Sequence, residues 1–133
     1  MESKKALVEE LFTDSGPFDE ERVVAVLKPL ISVQRDEHIL VYHREVSLKA
    51  DEKILAYGLV KKLLQRQGAV QESSITGKEV VIKTGLKSGT VDPTIKKLKA
   101  IGLLAGKGNY EIPVHEVDHI LKSLESRSNS NKS

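Results

Sequence analysis

Residues 75–113 read ITGKEVVIKTGLKSGTVDPTIKKLKAIGLLAGKGNYEIP, and they carry the strongest structural signals in the chain. Thr76 and Glu79 have the spacing of a capping box, in which each residue's side chain accepts a hydrogen bond from the other's backbone amide. Ile75 and Val80 are spaced as a hydrophobic staple around the same boundary. Two independent signals therefore predict that a helix begins here.

Gly85 predicts the end of that helix, because a residue without Cβ adopts the left-handed conformation at little cost. A second helix is predicted over 88–101, where Val91, Ile95 and Leu98 share an apolar stripe with Ile101 close behind.

The start of the second helix has two alternatives. With Ser88 as the cap, Pro93 lies inside the helix and removes one hydrogen bond. With Asp92 as the cap, Pro93 takes the favoured first position and the helix is a turn shorter. We prefer the longer helix because Val91 then fits its apolar stripe.

A small hairpin is predicted after Gly102, with short strands over 103–105 and 110–112 around the turn Gly106-Lys107-Gly108-Asn109. The succession of helix, glycine turn, helix and hairpin resembles the winged helix-turn-helix family. The resemblance rests on ITGKEVVIKTGLKSGTVDPTIKKLKAIGLL and on GKGNYEI, and with the preceding helix it covers residues 49–113, about half of the chain.

The resemblance implies a mainly α fold with small β-hairpins, in which helix 88–101 enters the major groove of double-stranded DNA and the wing 103–112 contacts the backbone. The residues that it places at the DNA are Lys78, Lys83, Lys87, Ser88, Thr90, Thr94, Lys97 and Lys107. It also implies a transcriptional regulator rather than an enzyme, and we expect no cofactor.

The rest of the chain divides into three predicted parts. Residues 1–48 form an N-terminal extension of helix, helix and hairpin, with helices over 3–13 and after the cap Asp19, and strands over 30–33 and 38–42. Whether this extension is a second winged-helix-like unit stays open. Residues 114–125 form an amphipathic helix with apolar positions at Val114, Val117, Ile120, Leu121 and Leu124, and 126–133 read as a disordered tail.

The helix before residue 75 is predicted to run to about Gln67, with Ser47 or Asp51 as its cap and Gly68 as its stop. Its apolar surface consists of Ile54, Leu55, Leu59, Val60, Leu63 and Leu64. A homodimer is expected through Leu121, Leu124 and the N-terminal extension. The reason is that the apolar stripe of helix 114–125 is wider than one small core needs.

Charge is unevenly distributed along the chain. The formal net charge is only +2, yet residues 73–111 hold seven lysines against three acids, while residues 1–72 hold 11 basic and 13 acidic side chains. Positive charge thus concentrates in the segment that resembles a DNA reader. The alternative is that these lysines only solvate the outer faces of helices.

Composition excludes several classes of protein. There is no cysteine and hence no disulfide, and no apolar run approaches the roughly 20 residues of a membrane span. The N-terminus lacks the apolar core of a signal peptide, so we expect a cytoplasmic protein. The motif His115-Glu116-Val117-Asp118-His119 matches H-E-x-x-H, but a third protein ligand for catalytic zinc is missing, so no metal site is predicted.

A second hypothesis assigns the winged helix to protein–protein contact without specific DNA binding, because fold does not determine function. Asp92, the modest net charge and the absence of arginine from residues 73–111 favour it. Arginine grips guanine with two hydrogen bonds, and lysine cannot copy that geometry.

Overall fold

The computed structural model describes residues 18–132, with side chains described through Arg127. Five helices lie in this part of the chain: α1 (Glu20–Leu27), α2 (Ala50–Arg66), α3 (Gly77–Thr84), α4 (Ser88–Ala100) and α5 (Val117–Lys132). The strands are β1 (Ile31–Val33), β2 (Leu40–Tyr42), β3 (Ile75–Thr76) and β4 (Asn109–Tyr110), and one turn of 3-10 helix covers Val114–Glu116. A mainly helical fold with two small antiparallel strand pairs is therefore confirmed. The helix predicted over 3–13 lies outside the described residues.

Helix α1 begins where the sequence predicts. The Asp19 carboxylate accepts a hydrogen bond from the Arg22 amide at 3.1 Å, and Glu20 and Glu21 occupy the first turn, where acids favour the helix dipole. Three of its apolar residues are buried against α5 and α2, but Val24 is exposed.

The predicted N-terminal hairpin is confirmed as β1 and β2, which pair antiparallel with Ile31 opposite Tyr42 and Val33 opposite Leu40. The Tyr42 hydroxyl donates to the Thr84 carbonyl oxygen at 2.7 Å, which joins the hairpin to the end of α3. Burial raises the pKa of Tyr42 to about 12, so the hydroxyl keeps this proton throughout the physiological range.

Helix α2 lies at the centre of the core, in contact with α1, α3, α4 and α5. Both predicted caps, Ser47 and Asp51, are wrong: Lys49 occupies the cap position, and its amide donates to the Glu52 carboxylate at 2.8 Å. Burial of Leu48 anchors the chain immediately before this point. The helix ends at Arg66, and Gly68 follows with a φ of 79°, as its predicted role as a stop requires.

The second strand pair differs from the predicted hairpin. Residues 103–105 and 110–112 retain a single antiparallel bridge, between Ala105 and Glu111. Tyr110 instead pairs with Ile75, and Asn109 with Thr76, so β4 takes its partner from the segment just before α3. The backbone at Thr76 is extended because Thr76 is a helix cap, and this extended conformation allows residues 75–76 to pair with β4.

Helix α5 buries four of the five residues of its predicted stripe, whereas Val114 is exposed. Leu121 and Leu124 are each only 1% exposed, because they fill the core of the same protomer. The prediction of a dimer contact through these two leucines is therefore wrong. The helix continues to Lys132, where composition predicts a disordered tail from Ser126. Among residues 18–132, no helix is both long and apolar enough to span a membrane.

Close packing of α2 against the chain that follows β4 requires a glycine. A Cβ on Gly58 would lie 2.7 Å from Cδ1 of Ile112, which is itself buried. We expect Gly58→Ala to lower the free energy of unfolding by about 1–3 kcal/mol through overpacking, although alanine is the better helix former. Urea denaturation measures the change.

Gly89→Ala is the matched control for that substitution. A Cβ at this helical glycine meets nothing within 4 Å, so the same replacement should raise stability by up to about 1 kcal/mol. A stabilising effect of Gly58→Ala would contradict the close contact between α2 and Ile112.

Candidate nucleic-acid interface

The start of α3 is held by the predicted capping box. The Thr76 hydroxyl accepts from the Glu79 amide at 3.1 Å, and the Glu79 carboxylate accepts from the Thr76 amide at 3.3 Å. Ile75 and Val80 on either side are both buried. The capping residues thus place the first turn of α3 against the core.

The carboxylate of Glu79 also joins α3 to α2, a contact that the sequence did not predict. Its Oε2 accepts from the Tyr57 hydroxyl at 2.5 Å and from the Lys61 ammonium. Burial raises the pKa of the Glu79 carboxyl, but the two hydrogen bonds and the charge of Lys61 outweigh burial and leave the pKa below its ordinary value. Burial, followed by the neighbouring carboxylate, raises the pKa of Tyr57. The four-residue spacing of Tyr57 and Lys61 puts them on one helix face, but no short-range pattern in the sequence identifies Glu79 as their partner.

The turn between α3 and α4 has the predicted glycine. Gly85 has a φ of 79°, in the left-handed region, and ends α3. The Thr84 hydroxyl donates to the Val80 carbonyl at 2.6 Å and accepts from the Leu86 amide at 3.2 Å. Leu86 packs against the core, so the direction in which α4 leaves the turn is well determined.

Helix α4 is the longer of the two predicted alternatives. It begins at Ser88, and Lys87 occupies the cap position, so both Ser88 and Asp92 are wrong as predicted caps. Pro93 lies inside the helix, as the longer alternative requires. Val91, Ile95 and Leu98 are buried as predicted, but Ile101 is 60% exposed because the helix ends one residue earlier and the chain turns at Gly102.

The side of α4 opposite its buried stripe is bare. At 3.6 residues per turn, Gly89, Pro93, Lys96 and Ala100 lie about half a turn away from the buried stripe, and all four are exposed. We call these four residues the outward face of α4. No described element covers these four residues, so this side of α4 is accessible along its whole length.

Four lysines between residues 77 and 108 have their ammonium groups available. Within residues 18–127, no ion pair or hydrogen bond engages the side chains of Lys78, Lys87, Lys96 and Lys107, and all are exposed. We call this set the free lysines. Lys96 belongs to this set although it is not among the residues that the resemblance places at the DNA.

Other predicted contact residues have partners within the protein. Lys83 donates to the backbone carbonyl of Glu37 in the β1–β2 turn, so it holds the N-terminal hairpin. The Lys97 ammonium lies 3.8 Å from the Asp51 carboxylate, although its side chain is largely exposed. The Thr94 hydroxyl donates to the Thr90 carbonyl at 2.6 Å, whereas Ser88 and Thr90 are exposed.

Asp92 lies on the flank of α4 that faces α3. One of its carboxylate oxygens is 3.2 Å from the position that a Cβ on Gly77 would occupy, at the first residue of α3. The N-terminal end of a helix favours a negative charge. The Asp92 carboxylate therefore lies near the positive end of the α3 dipole, on the flank of α4 and not on its outward face.

The loop between Ala105 and Glu111 carries Lys107 at its tip. Gly106 has a φ of 120°, and a Cβ there would lie 2.1 Å from the Asn109 carbonyl oxygen, so only glycine fits. At the base of the loop, Glu111 accepts from the Ser73 hydroxyl and lies 3.6 Å from the buried ammonium of Lys62. These contacts fix the loop beside α2.

The histidine motif does not assemble into a metal site within the described residues. His115 lies in the 3-10 turn and His119 in α5, and both are exposed. Asp118 between them pairs with Arg22 and Lys122. No group of three or more His, Asp or Glu side chains in the described part of the chain is placed to hold a metal ion.

Comparisons of the chain with protein-family models, with curated proteins and with solved structures found no match. The interpretation of the interface therefore depends on its own residues and geometry.

We expect Glu79→Gln to lower the free energy of unfolding by about 1–3 kcal/mol at neutral pH, because Lys61 loses its carboxylate partner. The lowered pKa of Glu79 determines the pH dependence. Its stabilisation is fully present above the pKa of an unfolded glutamate and is lost as the pH falls through the lower folded-state pKa.

Wild-type protein should therefore lose more stability than Glu79→Gln between neutral pH and about pH 3, as measured by urea titrations. Glu125→Gln, at an exposed glutamate of α5, should behave like wild type. Equal acid sensitivity of wild type and Glu79→Gln would contradict the role of this ion pair.

Proposed function

We propose that this chain is a winged helix-turn-helix protein that binds double-stranded DNA and regulates transcription. In this proposal α3, the Gly85 turn and α4 are the helix-turn-helix unit, and the loop between Ala105 and Glu111 is the wing. The pairing of β3 with β4 supports the proposal, because it brings the base of that loop next to the start of α3.

The observation that carries the proposal is the outward face of α4. Burial of Val91, Ile95 and Leu98 holds the helix to the protein, and the opposite side stays exposed along its whole length. A helix of 13 residues presented in this way has the dimensions to lie in the major groove, which is about 12 Å wide.

The free lysines supply the electrostatic part of the interaction. Lys87 lies at the start of α4, Lys96 on its outward face, Lys78 in the first turn of α3 and Lys107 at the wing tip. Lysine side chains without internal partners can meet phosphates without breaking existing ion pairs. Lys97 adds a fifth cation at the edge of α4, where Asp51 neutralises part of its charge.

Asp92 still counts against this proposal, because its carboxylate is exposed although it lies beside Gly77 of α3. The second candidate, a protein–protein interaction module, keeps this argument, the net charge of only +2 and the absence of arginine from residues 73–111. The two candidates differ in the response to salt. Displacement of counterions from phosphates makes DNA affinity fall steeply with salt concentration.

A salt series with a random-sequence duplex of about 20 base pairs, labelled for fluorescence anisotropy, tests the proposal. With five phosphate contacts, log affinity should fall with log salt concentration with a slope of about −4 to −5. Undetectable binding at low salt, or an affinity that salt does not change, would reject DNA binding and favour the protein–protein alternative.

Lys96→Gln should weaken binding to all duplex sequences and make the salt slope shallower by about 1, because one phosphate contact is lost. Lys122→Gln is the control, since Lys122 is an exposed lysine of α5, which carries none of the proposed contact residues, and it pairs there with Asp118. Both variants should keep the melting temperature of wild type. Equal effects of the two substitutions on affinity would show that binding depends on overall charge and not on α4.

A further inference from the structure

The outward face of α4 is poor in groups that can hydrogen-bond to bases. Gly89, Pro93 and Ala100 follow one another along its middle, and none has a polar side-chain atom. Lys96 is the remaining member, and its ammonium can meet either a phosphate or the edge of a guanine. Most of the surface that would face the base edges is therefore apolar or has no side chain.

Neighbouring positions contribute the exposed hydroxyls of Ser88 and Thr90 and few other base-reading groups. The Thr94 side chain is half-buried and its hydroxyl donates to the Thr90 carbonyl at 2.6 Å, which leaves its methyl group and the acceptor side of its oxygen for a base. Asp92 is turned toward Gly77. Residues 77–108 also contain no arginine, asparagine or glutamine, the side chains that read guanine and adenine with paired hydrogen bonds.

One base feature in the major groove is recognised by apolar contact instead, and it is the C5-methyl group of thymine. We propose that α4 selects thymine-containing duplex DNA through this methyl group, with the Pro93 ring and the Thr94 methyl as the contacting groups. This inference rests on the proposed function and names the chemistry that the same surface reads. The free lysines hold the phosphates and contribute affinity without sequence preference.

Two pairs of duplexes of equal length test the inference with the full chain. Alternating dA-dT and dA-dU duplexes carry the same charge and differ in the C5-methyl group. Alternating dG-dC and dG-5-methyl-dC duplexes place a methyl at the same site of the groove in a different background. We expect the methylated member of each pair to bind more tightly, by about fourfold for each methyl group buried.

Each outcome of this comparison is decisive. Equal affinity within both pairs would overturn the methyl contact and leave DNA binding standing. A preference confined to the dA-dT pair would also overturn it, because the effect would then come from duplex shape. Absence of binding to all four duplexes at low salt would reject the proposed function together with the inference.

Variants of α4 test which of its residues contact the C5-methyl group. Pro93→Ser should bring the ratio of dA-dT to dA-dU affinity toward one without changing the salt slope. Thr94→Ser removes one methyl group, retains the hydroxyl that bonds to Thr90, and should lower the same ratio in part. Ile101→Ser, at an exposed apolar residue just beyond the helix, should leave the ratio unchanged. An unchanged ratio in both Pro93→Ser and Thr94→Ser would contradict the assignment.

Discussion

The arrangement of α3 and α4 depends on the carboxylate of Glu79. One oxygen completes the capping box with Thr76, and the other accepts hydrogen bonds from Tyr57 and Lys61 of α2. A single side chain therefore both begins α3 and ties it to the central helix. Since α4 follows α3 after a short, well-ordered turn, this junction also determines where α4 lies. A partly buried carboxylate without these donors would be costly, which is why the hydrogen bonds that order the junction also stabilise its charge.

The outward face of α4 is exposed because neighbouring elements cover only a narrow part of the helix surface. Val91, Ile95 and Leu98 supply one narrow stripe, which the core covers completely. The flanks are occupied by single contacts: Asp92 against α3 on one side, and Lys97 near Asp51 on the other. The remaining side carries glycine, proline, lysine and alanine, a set that is small and cationic. Such a surface suits close approach to a polyanion better than it suits hydrogen-bonded reading of a sequence.

Features set by neighbouring residues in the chain were predicted well. The capping box at Thr76, the Asp19 cap, the left-handed Gly85 and the first hairpin all follow from interactions within a few residues, which a sequence displays directly. Predictions that needed a distant partner were less successful. The predicted pairing of 103–105 with 110–112 keeps only the Ala105–Glu111 bridge while Tyr110 pairs with Ile75, and Leu121 and Leu124 were read as an interface although they complete the core. An apolar stripe shows that a face is covered, but not which chain or element covers it.

Sequence patterns alone were enough to predict the order of the described helices, the boundaries of α2, α3 and α4 to within two residues, and the concentration of lysine between residues 73 and 111, whereas both ends of α5 were misplaced. These properties arise from local hydrogen bonding, backbone freedom at glycine and the periodicity of apolar residues. Contacts between distant parts of the chain determined which lysines remain free and where the Asp92 carboxylate lies. These depend on atoms brought together from positions far apart in the chain, because ion pairing and burial are set by distance in space and not by separation in sequence.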